Sequence, residues 1–89
     1  MAKYRLIDYF DVWGNPDDGW TVNDSTTIKD NIVIEEDARD EEIIDILVQI
    51  GYLNPEARET IHLEDYGINT IEIVMDEIDC PLGRLEMIV

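Results

Sequence analysis

Asp40-Glu41-Glu42-Ile43-Ile44-Asp45-Ile46-Leu47-Val48-Gln49-Ile50-Gly51-Tyr52-Leu53 is the stretch whose reading decides the fold. Ile43, Ile44, Leu47, Val48 and Ile50 recur at helical spacing, with Ile46 on the edge of the stripe, so one amphipathic helix is expected here. Asp37 or Asp40 is the expected cap, and Asp40, Glu41 and Glu42 fill the first turn, where the helix dipole favours negative charge. Gly51 suits a left-handed residue just past the end, with Tyr52 or Leu53 folding back on the last turn.

Outward from the helix, the period changes to two. Upstream, residues 4–13 are rich in aromatic and branched side chains and predict a strand. Residues 14–19, Gly-Asn-Pro-Asp-Asp-Gly, carry turn chemistry, and Trp20 opens a second strand through about Ile28. This hairpin would bring Trp13 near Trp20. Asn31–Ile34 suggests a third, shorter strand. Downstream, Asn54-Pro55 begins a single extra turn through Arg58. Strands are expected at Thr60–Glu64 and Asn69–Met75, joined by Asp65-Tyr66-Gly67, and a last strand at Leu82–Val89, entered through Pro81. The order strands, helix, strands predicts an α+β fold: a mostly antiparallel sheet of about five or six strands with one helix packed on it. With 89 residues and no linker or repeat, one domain is expected.

Charge narrows the function. Twenty-two Asp and Glu against six Lys and Arg give a net charge of −16. Such a surface repels DNA, RNA and anionic membranes and attracts a basic partner. The hydrophobic content of 45% separates the chain from disordered acidic tails. No apolar run is long enough to span a membrane, the first residues do not read as a signal peptide, and Cys80 has no second cysteine to pair with. A reducing, cytoplasmic setting is the expectation.

Residue types that carry catalysis or metal binding are scarce. His62 is the one histidine, and it alternates with Ile61 and Leu63 as a half-exposed strand residue would. Its sequence neighbours supply neither a nucleophile nor an orienting acid. Cys80 lies among acids at 76, 77 and 79, which disfavour a thiolate, and one Cys with one His cannot build a structural zinc site. Asp17-Asp18, Glu35-Glu36-Asp37 and Asp76-Glu77 with Asp79 would attract hard cations only weakly. None has the alternating oxygen ligands and closing Glu of a calcium loop. No glycine-rich phosphate loop occurs. The expectation is a protein that is not an enzyme and has no cofactor or metal.

The acids themselves are the candidate site. Glu35, Glu36, Asp37, Asp40, Glu41, Glu42 and Asp45 form a run interrupted in sign only by Arg39, and Asp76, Glu77 and Asp79 are expected to extend it. Carboxylates at i and i+2 of a strand lie about 6.8 Å apart, an interval of the order of the phosphate spacing along a nucleic-acid strand. Carboxylates so placed would occupy a cleft in which Lys and Arg normally meet phosphates. The plainer meaning of such a run is a solvated face that aids solubility. Trp13, Trp20, Tyr9 and Tyr66 are candidate aromatic anchors, as well as candidate core.

The segments Tyr4–Asn15, Trp20-Thr21-Val22-Asn23, Ile50-Gly51-Tyr52-Leu53 and Pro81–Glu86 resemble small acidic open reading frames of bacterial phages and mobile elements. The resemblance implies a setting rather than residue roles. By charge and size, the chain is also similar to inhibitors of restriction and CRISPR defence that imitate DNA. Two readings follow. One is a non-enzymatic inhibitor that presents its acids to a basic, nucleic-acid-binding host protein. The other is an assembly adaptor that acts through an apolar patch or an exposed edge strand, with Leu82–Val89 the suggested edge. The chain is expected to be a monomer or homodimer, a monomer fitting the first reading and a dimer the second.

Overall fold

The computed structural model describes residues 1–67 and 69–88. It has five strands: β1 (Ala2–Asn15), β2 (Gly19–Ile34), β3 (Ile61–Tyr66), β4 (Thr70–Met75) and β5 (Cys80–Met87). One helix, α1 (Asp40–Gln49), and a 3-10 turn (Pro55–Glu59) separate β2 from β3. The strands form a single antiparallel sheet in the order β2-β1-β5-β4-β3. The fold is α+β, as the change of period on either side of α1 implies.

Three boundaries differ from the sequence reading. The segments 20–28 and 31–34 are one strand, because β2 passes through Asp30 and Asn31 as an irregularity in its pairing with β1. Asn31 takes a left-handed φ of 60°, which Asn tolerates better than most residues. Asp65 and Tyr66 are not a turn: they pair with Ile71 and Thr70 and extend β3. Most consequentially, β5 lies between β1 and β4, so Leu82 to Met87 is interior to the sheet and not an edge. Val89 lies outside the described residues. The free edges belong to β2 and β3.

The register sorts side chains onto two faces. Leu6 opposes Leu85, Leu85 opposes Ile71, and Leu63 opposes Ile73, so these residues share the face against α1. Leu6, Leu47, Ile73 and Leu85 are fully buried there, with Ile32, Ile34, Ile43 and Ile61 around them. Each such aliphatic side chain contributes about 1.5–3 kcal/mol by leaving water.

The helix ends as its sequence directs and begins as it does not. The Gly51 amide donates to the Val48 carbonyl and the Tyr52 amide to that of Leu47, the paired bonds of a Schellman turn, with Gly51 at φ 86°. Tyr52 is thereby folded back onto the sheet. Its hydroxyl lies 2.8 Å from Asp8 Oδ1 and 3.1 Å from the Leu82 carbonyl, sharing one proton between them. Burial, reinforced by Asp8, pushes the phenol well above its ordinary range. At the other end, neither Asp37 nor Asp40 caps α1. Arg39 holds that position with extended backbone and no side-chain cap bond.

Candidate acidic binding surface

β2 delivers the chain to Ile34, and residues 35–39 turn it into α1, closed by a bond from the Ala38 amide to the Glu35 carbonyl. Ile34 and Ile43 are buried on either side, so the intervening polar residues are forced outward. Glu35, Glu36, Asp37, Asp40, Glu41 and Glu42 are all exposed. Their internal neutralisation is thin. Arg39 reaches Glu41 at 3.7 Å and Glu42 at 4.0 Å, and the N-terminal ammonium lies 3.7 Å from Glu36. Exposed pairs of this length contribute little to stability.

Two of the expected groups fall elsewhere. Asp45 is held by Arg58 at 2.7 Å, so its charge is already met within the chain. Asp76, Glu77 and Asp79 form the turn between β4 and β5, whereas Glu35 and Asp40 share a crevice with Gly67 and Thr70 at the other end of β4. Six residues of strand separate the two groups, about 17 Å at 3.4 Å per residue. The turn acids therefore do not extend the run. The acid that joins it is Asp65, which lines the crevice with Glu35, Glu36 and Asp40. Strand alternation from Ile61 and Leu63 would have placed Asp65 on that face, but reading 65–67 as a turn concealed it.

The turn acids have their own partners. Asp76 makes a very short contact with His62 Nδ1, and Glu64 Oε1 lies 3.6 Å from Nε2. The hydrogen bond to Asp76 raises the imidazole pKa, opposed by burial and assisted by the charges of Asp76 and Glu64. His62 is half-exposed, as alternation requires; Glu64 comes from its own strand, two residues along, and topology brings Asp76 to the other ring nitrogen. Among the described residues its side-chain partners are carboxylates, which orient an imidazole without giving it a nucleophile to activate. The Cys80 thiol is also shifted upward, through burial.

On the sheet face away from α1, the outer half of the β1–β2 hairpin curls over β3 and β4. Trp20 and Val22 meet Glu64, Tyr66, Glu72, Asp79 and Pro81 around a cavity of about 380 Å³. Glu64 and Glu72 stand directly opposite one another on β3 and β4. Burial, then Glu64, raises the Glu72 pKa, against the lowering effects of a Tyr9 hydrogen bond and Arg84. Arg84 sits over the Tyr9 ring, 5.6 Å from its centroid, with Nε 3.2 Å from Glu86. The two tryptophans do not meet as the hairpin suggested. Trp13 opposes Thr21 and Trp20 opposes Gly14, so successive pairs put them on opposite faces. Trp13 is 65% exposed, while the Trp20 indole N–H is buried without an acceptor among the described residues.

Among the described residues, no three His, Cys, Asp or Glu side chains are arranged to hold a metal ion, and no helix is long and apolar enough to cross a membrane. Comparison with protein-family models, curated proteins and solved structures found no match.

Proposed function

We propose that this chain is a non-enzymatic binding protein that presents the acidic entry of α1 to a basic, nucleic-acid-binding partner, in the manner of a DNA-mimicking inhibitor. One observation carries the reading. Six exposed carboxylates from Glu35 to Glu42 cluster at the entry to α1, and among the described residues their ion pairs are the long ones to Arg39 and the terminal ammonium. Elsewhere three arginines are met internally, Arg5 by Asp30, Arg58 by Asp45 and Arg84 by Glu86. Like charge gathered in one place opposes folding and helps association with a basic surface. The resemblance to phage and mobile-element proteins fits a cytoplasmic setting in which the partner is a host defence protein.

The test replaces Glu35, Glu36, Glu41 and Glu42 with Gln together. Capture of a basic partner is expected to be lost in the variant and weakened by salt in the parent, with the far-ultraviolet spectrum unchanged. Undiminished affinity in the folded variant would overturn the reading.

A second reading is favoured by a separate observation. Phe10, Trp13, Val22 and Ile28 are exposed on the β1–β2 hairpin, and β2 is a free edge. An assembly adaptor would use that surface, by adding a strand or covering the aromatics. Dimerisation that is indifferent to salt and abolished by Trp13→Ser would favour it, whereas a monomer at both high and low salt would exclude self-pairing.

A further inference from the structure

We propose that the cavity between Trp20 and the β3–β4 face is a receptor for an arginine side chain of the basic partner, which deepens the reading above and rests on it. The walls and the charge both select this chemistry. Trp20 and Tyr66 supply aromatic surface, and Pro81 and Val22 supply apolar surface. Glu64, Glu72 and Asp79 supply carboxylates, and an anion finds no cationic wall among these lining residues. Aromatic faces and carboxylates together are complementary to an organic cation. A guanidinium fits best, being planar, weakly hydrated and able to donate two parallel bonds to carboxylates.

The opposition of Glu64 to Glu72 is a second, independent indication. Like charges directly across a strand pair destabilise a sheet. Arg84, the cross-strand neighbour of Glu72, bonds instead to Glu86 and lies over Tyr9. Glu72 is left with the Tyr9 hydroxyl at 3.4 Å as its hydrogen-bond partner, and Glu64 has the long His62 contact. A bound cation between the two carboxylates would relieve that repulsion. A hard metal ion does not meet the requirement, because among the described residues no three acids converge closely enough. The chain already holds one guanidinium in this manner, Arg84 over Tyr9 beside Glu86.

The experiment uses the full chain carrying Trp13→Phe, so that fluorescence reports Trp20 alone. It is titrated with N-acetyl-arginine amide and, as an uncharged isostere, N-acetyl-citrulline amide. The expected result is a saturable response to the arginine derivative, at least tenfold weaker for citrulline and for Glu64→Gln with Glu72→Gln. The Gln variant at 35, 36, 41 and 42 should respond like the parent. No saturable response, an equal response to citrulline, or an unchanged response in the double variant would overturn the cavity as a receptor. Binding of the arginine derivative together with undiminished partner capture by the four-Gln variant would instead uphold the cavity and overturn the acidic entry of α1.

Discussion

The helix-backed half of the sheet and the outer half of the β1–β2 hairpin are both antiparallel β-structure, yet they solve opposite problems. In the first, β1 is flanked on both sides, since Tyr4 to Asp8 pair with β5 as well as β2, and α1 covers one face. Alternation there is strict enough that Leu6, Ile73 and Leu85 are fully enclosed. In the second, β1 has only β2 beside it, and the pairing shifts register around Phe10 and Asn23. Such bulges bend and twist a ribbon, which brings Trp20 over the sheet while leaving Phe10 and Trp13 in solvent. One half holds the fold together, and the other is available for contact.

Substitution should separate the halves sharply. Leu47→Ala empties a fully buried position under the sheet and is expected to cost about 2–5 kcal/mol in urea denaturation. Trp13→Ala, on the open ribbon, is expected to stay within about 0.5 kcal/mol of the parent. Similar losses at both sites would mean that the ribbon packs far more tightly than its exposure indicates.

Gly83→Ala probes the join between helix and sheet. An added Cβ would stand 2.5 Å from the Ile7 carbonyl and 2.6 Å from the Tyr52 hydroxyl. The backbone oxygen cannot swing aside, so a loss of about 1–3 kcal/mol is expected, accompanied by a changed Tyr52 environment in near-ultraviolet circular dichroism.

Glu72→Gln should do the reverse. Burial and Glu64 raise the folded-state pKa of Glu72, so its ionisation opposes folding, and stability falls as pH rises through the carboxylate range. The amide should therefore raise the denaturation midpoint near neutral pH while weakening binding of the arginine derivative. A midpoint that drops would show that Glu72 is already compensated within the fold.

The smallest effect belongs to His62. Its folded-state pKa lies above the ordinary 6.5, so its stabilising contribution is complete below that value and is lost as pH rises through the folded one. Asp76→Asn should flatten the stability profile in that window. An unchanged slope would mean that the contact of His62 with Asp76 does not persist in solution.

Much of this architecture is legible in the residues, for identifiable reasons. α1 follows from the spacing of Ile43, Ile44 and Leu47 and the glycine at 51, all local features. The position of β5 is not local. That Leu82 to Met87 enters between β1 and β4 depends on pairings to Arg5 and Ile71, which no single segment encodes. The same limit governs the site. The exposure of Glu35 to Glu42 follows from a loop between buried isoleucines, while the arrival of Asp65 and the departure of Asp76 to Asp79 depend on which end of β4 each turn occupies. Glu72 shows both sides. Its alternation with Ile71 and Ile73 puts it opposite the core, but only the β3–β4 register sets it against Glu64.

The most direct test of the acidic entry of α1 as a mimic of nucleic acid is competition. The partner captured by the parent chain is titrated with duplex DNA, and the fraction still bound is measured alongside that of the variant with Gln at 35, 36, 41 and 42. The expected result is release of the partner by DNA and no capture by the variant, because carboxylates and phosphates contend for the same Lys and Arg side chains. A partner that holds DNA and the parent chain together, with affinity unaltered by the four substitutions, would contradict the claim.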